Sequence, residues 1–329
     1  MKLIHFSRAT ILAIVVISGR EVSQAQQQVQ KSSPAELVDA LHTAFGNNHS
    51  RAVHAKGIIL EGTFTPDKEA AKLTKAPHLQ KKSSKVVVRF SNFTGIPTIP
   101  DNIGAANPRG LAVKFLMDDG TSSDIVSHSF NGFPTSDTDQ FRELLLAIGA
   151  SSKETVHPNT LEKFLDTHPI AKTFLTTQKT PASYGAINYF GVNSFKFTNK
   201  HNESHFIRYQ FIADGGEEIL TEAQVAKMSS DYLIDEIPNR ISKHPIKFRL
   251  YAEIAENGDA IENPSLAWPL SRKKMLLGVL ELTKMASNTT EEDKETKFSP
   301  NNIPDGIATA DPMLNFRSKA YPISVKERQ

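Results

Sequence analysis

Three residues have types and spacing that could do chemistry together. In Arg317-Ser318-Lys319-Ala320-Tyr321 the four-residue interval sets arginine beside tyrosine on a helix. A guanidinium there stabilises a phenolate, whose parent phenol ordinarily titrates near about 10. A phenolate is one of the few protein donors that hold haem iron. Taken alone, such a pair is more often a tyrosine capping a core beside a surface arginine. His54, in Arg51-Ala52-Val53-His54-Ala55-Lys56-Gly57, precedes a strand-like run and has small neighbours that would let a flat ligand approach. Imidazole is the natural proton shuttle near neutral pH, although a lone histidine too is more often structural.

Other chemistries are poorly supported. The chain has 11 histidines, but none are spaced as in HExxH or a similar zinc motif. It has no P-loop and no GxGxxG; Gly104 to Asn107 reads as a turn, and no serine sits in a nucleophile-elbow context. There is no cysteine, which excludes disulfides, thiolate metal sites, a cysteine nucleophile and thiol redox work. Redox chemistry here needs a bound cofactor.

The elements that position these residues can be read from pattern. Ser33-Pro34-Ala35-Glu36 is a capping box with proline at the first helical position, and Leu37, Val38, Leu41 and Phe45 follow on one face. Eight segments rich in β-branched and aromatic residues are expected strands: 56–65, 86–91, 111–117, 124–127, 194–199, 205–213, 246–254 and 275–284. Leu111, Val113, Phe115 and Met117 share one face, as do Ile246, Phe248, Leu250, Ala252 and Ile254, the period-two mark of a sheet with one face on the core. Helices are expected around Phe141 to Ile148, from Asn159-Thr160, and from Pro169, with a further capping box at Thr221 and Gln224. Strands in runs with helices inserted point to an α+β fold with an antiparallel sheet, and eight strands are enough to close a barrel. The polar run 288–297 is expected to be a solvated loop before a Pro/Asn-rich tail.

The chain of 329 residues, 39% hydrophobic and 22% charged, can bury a sizeable core in one large domain or two ordinary ones. Residues 1–25 read as a signal peptide: a basic start, an apolar run from Ala9 to Gly19 shorter than a bilayer span, and small residues Ser23 and Ala25 at a cleavage site. Cleavage after Ala25 would remove three of the 38 positive and one of the 36 negative side chains, leaving 35 of each. A neutral periplasmic or secreted chain has no net field for nucleic acid phosphates. Residues 26–50 would form a linker and N-terminal helix, and 51–329 the main domain.

Four motifs then occur in the order and contexts of one family. Arg51-Ala-Val-His54-Ala-Lys-Gly57, Val88-Arg89-Phe90-Ser91, Asn107-Pro108-Arg109-Gly110-Leu111-Ala112-Val113-Lys114-Phe115 and Asp311-Pro-Met-Leu-Asn-Phe-Arg317-Ser-Lys-Ala-Tyr321 resemble the haem catalase family, most of all its bacterial catalase-related peroxidases. The resemblance runs from about Arg51 to the end. It implies a catalase-type eight-stranded antiparallel barrel with inserted and peripheral helices, carrying haem b. His54 matches the distal histidine and Ser91 the serine that orients it; Tyr321 matches the proximal iron ligand and Arg317 the arginine that keeps it ionised. Arg51, Arg89 and Arg328 fall where the family binds the haem propionates, which suits bidentate carboxylate recognition. Phe141 falls where an aromatic stacks on the porphyrin, and Val53 and Phe133 where apolar groups narrow the channel.

Two departures from the family pattern bear on activity. Counted without gaps from Asp124, the distal asparagine is replaced by His128, bulkier and open to protonation, while Asn131 three residues on offers an amide by another loop path. Tyr321 is followed by eight residues, so the wrapping segment of large catalases is expected to be absent, the haem channel wider, and the assembly a monomer or small homo-oligomer. The implied activity is reduction of hydrogen peroxide or organic peroxides by a small organic electron donor, with no stable membrane span and no nucleic acid partner. A small true catalase and a hydroperoxide-rearranging lyase are the alternatives on the same fold. A non-enzymatic carrier of an apolar ligand would assign no task to Arg317 and Tyr321.

Overall fold

Alternation of large apolar and polar side chains is what builds the central element. The computed structural model describes residues 32–328, so the signal peptide expected over 1–25 lies outside the described residues. Strands β1 (Gly57–Pro66), β2 (Ser84–Ser91), β3 (Gly110–Leu116), β4 (Ser122–His128), β5 (Tyr189–Thr198), β6 (Ser204–Ala213), β7 (Ile246–Ile254) and β8 (Lys274–Met285) run in the order β4-β3-β2-β1-β8-β7-β6-β5, each antiparallel to its neighbours. A β4–β5 pairing, His128 opposite Phe190, closes the sheet into the expected eight-stranded barrel. A closed sheet leaves no open edge to pair with other chains. The rest of that edge of β5, Phe195 to Phe197, pairs with a short strand that no pattern announced, β9 (Ile307–Thr309).

The inward faces are those the alternation assigns. Leu111, Val113 and Phe115 of β3 and Ile246, Phe248, Leu250 and Ala252 of β7 are buried, with Phe64, Phe90 and Phe211 completing an aromatic core. Burying a phenylalanine is worth roughly 1.5–3 kcal/mol. Phe90 stacks on Tyr184, ring centroids 5.5 Å apart.

Helices α1 (Pro34–Phe45), α2 (Ala70–Leu73), α3 (Thr138–Ser151), α4 (Thr160–Thr167), α5 (Pro169–Thr176), α6 (Glu222–Val225), α7 (Tyr232–Lys243), α8 (Thr290–Glu295) and α9 (Pro312–Glu327) lie in the connections and at the two ends. The capping box at α1 is made in full: Glu36 N–H donates to Ser33 Oγ at 3.2 Å and Ser33 N–H to the Glu36 carboxylate at 2.6 Å. Leu37, Val38 and Leu41 of α1 join Phe141, Leu144 and Leu145 of α3 and Phe316 and Ala320 of α9 in a second apolar cluster. Two expectations are corrected. Helix α7 forms where no helix was expected, on an amphipathic segment that buries Tyr232, Leu233 and Ile237 despite Pro238. The run 288–297 is not simply a solvated loop, because it holds α8, whose Asp293 is drawn to two arginines. Among the described residues no helix is long and apolar enough to cross a membrane.

Candidate active site

A cavity of about 1480 Å³, its open mouth included, lies where the barrel wall meets α1, α3 and α9. The segment before β1, the ends of β2 and β4, the start of β3 and the middle of β5 supply the barrel side of the wall.

His54 is held in a backbone conformation that side chains other than glycine seldom adopt, with φ at 58°. Two backbone bonds fix it there: its N–H donates to the Phe93 carbonyl and that of Ala55 to the Thr94 carbonyl, both at 2.9 Å. Arg89 adds two more, donating from Nη1 to the His54 carbonyl and from Nη2 to the Ala55 carbonyl, each at 2.8 Å. The ring is oriented by a 3.0 Å hydrogen bond between Nδ1 and Ser91 Oγ. Gly110 makes room for this arrangement, because a Cβ there would lie 2.4 Å from Ser91 Oγ and 2.7 Å from His54 Nδ1. Gly57 does the same for Arg89, whose Cζ would be 2.6 Å from a Cβ. Burial, with His128, Arg89 and Arg317 nearby, pushes His54 down to about 3. Its ring is therefore neutral across the ordinary pH range.

On α9 the spacing of Arg317 and Tyr321 has its expected consequence: Arg317 Nη2 donates to the tyrosine oxygen at 2.6 Å. Nη1 donates to Asn193 Oδ1 at 2.8 Å, and Asn193 Nδ2 donates to Asp311 at 2.6 Å. Asp311 also caps α9, accepting the Met313 N–H at 2.9 Å. Burial raises its carboxyl above the usual range, opposed by the bonds from Asn193 and Met313. Asn193 reaches the site because β5 bulges there: between the paired positions Gly191↔Tyr209 and Phe195↔Ile207, β5 advances four residues and β6 two.

Arg51, Arg89 and Arg328 gather in one part of the cavity wall, as expected, yet a carboxylate of the chain itself is already among them. Arg51 Nη1 donates to Asp293 Oδ2 at 3.0 Å and to its carbonyl at 2.8 Å; Arg89 Nε donates to Oδ1 at 2.7 Å. The Thr296 carbonyl accepts from Arg51 at 2.7 Å and from Arg328 at 3.5 Å. Arg328 Nε is buried with no partner among the described residues. Burial, then the charge of Arg89, push Arg51 down to about 8 even with Asp293 opposing. Arg89 has a further task, since both its terminal nitrogens hold the backbone of His54 and Ala55.

Of the two rivals for the distal position, His128 lines the cavity and Asn131 does not. The loop explains the difference. Phe130 N–H bonds back to His128 Nδ1 at 3.4 Å, and the turn continues through Gly132, whose φ of 153° lets the chain leave the wall before Phe133 returns to it. His128 Nε2 is buried without a partner among the described residues. Burial, aided by Arg317, pushes this ring too down to about 3, so the protonated state allowed for in the sequence does not arise near neutrality. Val53, Phe133 and Phe141 all line the cavity, with the two phenylalanine rings 4.8 Å apart. Sequence reasoning missed Asp293, Asn193 and the edge contact of Phe174 on His128, at 6.0 Å. Only Gly110, inside a quoted motif, carried a usable signal.

These residues fit a haem. Three guanidiniums face one carboxylate and leave two positive charges for a dianionic edge, Arg328 Nε lacks an acceptor, and Tyr321 offers an oxygen donor with a cation beside it. The class defined so far is a closed antiparallel barrel protein with a deep cavity between the barrel wall and α9. The family described as Catalase, which is haem-dependent, matches residues 24–329, and the chain belongs to it. It is similar to the catalase-related peroxidase of Synechococcus elongatus, 31% identical over 302 residues covering 90% of this chain and 88% of that one. The catalase-related peroxidase of Mycolicibacterium paratuberculosis is 32% identical, with 90% and 95% covered. A solved bacterial catalase superposes with a TM-score of 0.73 at 23% identity, over 85% of this chain and 57% of that chain. A fungal catalase gives 0.74 at 22%, covering 85% and 59%. At those identities the likeness is one of fold, and this chain spans less than two thirds of either catalase.

Proposed function

We propose that the protein is a haem b peroxidase that reduces hydrogen peroxide or organic peroxides with a small organic electron donor. The observation that carries this reading is one cavity bringing together His54 with Ser91, Tyr321 with Arg317, and the three arginines. Tyr321 would hold the iron, Arg317 would keep its positive charge beside the tyrosine oxygen, and Arg51, Arg89 and Arg328 would take the propionates. Val53, Phe133 and Phe141 would pack on the ring and narrow its approach. When bound, the haem supplies an iron that accepts the peroxide oxygen and passes electrons from the donor.

The chain supplies the proton transfer. A neutral imidazole is the competent form of a base, and its low pKa keeps His54 in that form at any ordinary working pH. Nε2, the nitrogen that Ser91 leaves unengaged, takes a proton from one peroxide oxygen and delivers it to the other, so water leaves. Dismutation asks more, because a second peroxide must be held by two groups at once. With His128 in the wall and Asn131 outside it, the amide donor expected for that task is missing. Donor oxidation should therefore exceed oxygen release.

Peroxide turnover by the haem-loaded protein, with and without an aromatic donor and with oxygen followed in parallel, tests the reading. Vigorous oxygen release with negligible donor oxidation would make the protein a small true catalase. Absence of any haem absorption band would favour a carrier. The N-terminal segment supports a periplasmic or secreted location, for a monomer or small homo-oligomer; an intact mass lacking Met1 to Ala25 in envelope fractions tests the first, and sedimentation the second.

A further inference from the structure

The arginine cluster is covered by a short piece of the chain that meets it through acceptors: the Asp293 carboxylate and the carbonyls of Asp293 and Thr296. Asp293 lies within the six-residue α8, and Thr296 is the residue at its C-terminal end, where backbone carbonyls are unpaired and negatively polarised. Arg51 donates to Asp293 twice and to Thr296 once, Arg89 donates to both Asp293 oxygens, at 2.7 and 3.4 Å, and Arg328 reaches Thr296. One carboxylate and one helix end thus accept from all three arginines, while Arg89 also holds the His54 and Ala55 carbonyls. The side chain of Asp293 remains 33% exposed, whereas Arg89 is 4% exposed, so the acceptor sits at the rim and the cations lie beneath it.

We propose that Asp293 is a built-in competitor for the cofactor's carboxylates: the 293–296 segment neutralises the arginines in the haem-free chain and gives up part of them when haem enters. The proposal rests on the haem reading above. Its logic is competition for the same donors. Without Asp293, three guanidiniums within one pocket repel one another and the haem-free fold suffers; with both Asp293 and two propionates, three carboxylates share three guanidiniums and the acids repel one another. Removing the charge of Asp293 should therefore destabilise the haem-free chain and strengthen retention of haem. A residue that merely braces the arginines would shift both in the same direction.

The experiment compares the parent with Asp293→Asn and Asp293→Glu in the full chain. Two readouts are taken: the thermal midpoint of haem-free protein, and the rate at which loaded protein loses haem to an excess of a tight haem scavenger. The same loss is measured for haem dimethyl ester, whose carboxylates are blocked. Asp293→Asn should lower the haem-free midpoint, slow loss of haem by roughly tenfold, and leave loss of the ester within about twofold of the parent. Asp293→Glu should resemble the parent in all three. Faster loss of haem from Asp293→Asn, an unchanged rate, or equal slowing for haem and ester would each overturn the proposal. A parent chain that binds no haem would overturn the haem reading itself, and this inference with it.

Discussion

Tyr321, His54 and Gly110 are the positions where a single atom decides the outcome. Tyr321→Phe deletes the oxygen that Arg317 reaches at 2.6 Å, and no nearby side chain offers a replacement donor for iron. Most haem should be lost on purification, or retained without a phenolate charge-transfer band; an unchanged absorption spectrum would reject Tyr321 as ligand. His54→Ala should keep haem and slow reaction with peroxide by roughly 10²–10⁴-fold, the usual share of a positioned acid-base group. Stopped-flow mixing measures it, and an unaltered rate would transfer the task to His128. Gly110→Ala adds a methyl 2.7 Å from His54 Nδ1, so the ring must turn or Ser91 must move. Overpacking of that kind costs about 1–3 kcal/mol, and the variant should lose much of the His54-dependent rate while haem stays bound.

At the scale of elements, the bulge in β5 joins strand to helix. It delivers Asn193 as acceptor to Arg317 and donor to Asp311, so one amide ties Arg317 to the cap of α9. Asn193→Ala removes both bonds and leaves a buried carboxyl short of a donor, at a cost of about 1–3 kcal/mol. Denaturant midpoints should fall accordingly, and haem should be lost faster than from the parent as Arg317 loosens. Asn193→Asp should be worse, since it sets two acids side by side; if both variants matched the parent, the link between bulge and helix would carry no weight. Helix α1 makes a contrasting case. Its capping box is complete and local, so Ser33→Ala should cost only about 1 kcal/mol with the peroxide rate unchanged.

For the whole molecule, three buried imidazoles shape the response to acid. His54, His78 and His128 are each pushed down to about 3, chiefly by burial. His78 has no partner for either ring nitrogen among the described residues and packs at a tilt against Phe115, with centroids 4.5 Å apart. A histidine in the unfolded chain takes up a proton near about pH 6.5, whereas these fold neutral and charge only near 3. The unfolded state therefore binds more protons between those limits. Stability contributed by the neutral rings is complete above about pH 6.5 and is lost as pH falls toward 3, by up to about 1.4 kcal/mol per pH unit for each ring. Thermal midpoints followed from pH 8 to 4 should show this acid limb. His78→Leu should make it shallower while leaving peroxide turnover at neutral pH intact, and an unchanged slope would show that His78 is not among the titrating groups.

What the sequence determined by itself is the part governed by local rules. Period-two alternation located strands such as β3 and β7 because they face the core on one side only, and β7 falls on Ile246 to Ile254 as read. Capping boxes at Ser33, Asn159 and Thr221 marked helix starts because their hydrogen bonds span three residues. The Arg317 and Tyr321 contact followed from helical spacing alone. Tertiary structure decided everything that depends on segments far apart in the chain. Asp293 lies 242 residues from Arg51 and 204 from Arg89, inside a polar run whose composition suits solvent, and only packing places it among the arginines. Asn193 owes its direction to a two-residue bulge that breaks the alternation otherwise used to read a strand. The choice of His128 over Asn131 was likewise open in the sequence, because a turn through Gly132 sets which of two nearby side chains faces the cavity, and spacing along a turn does not encode its path.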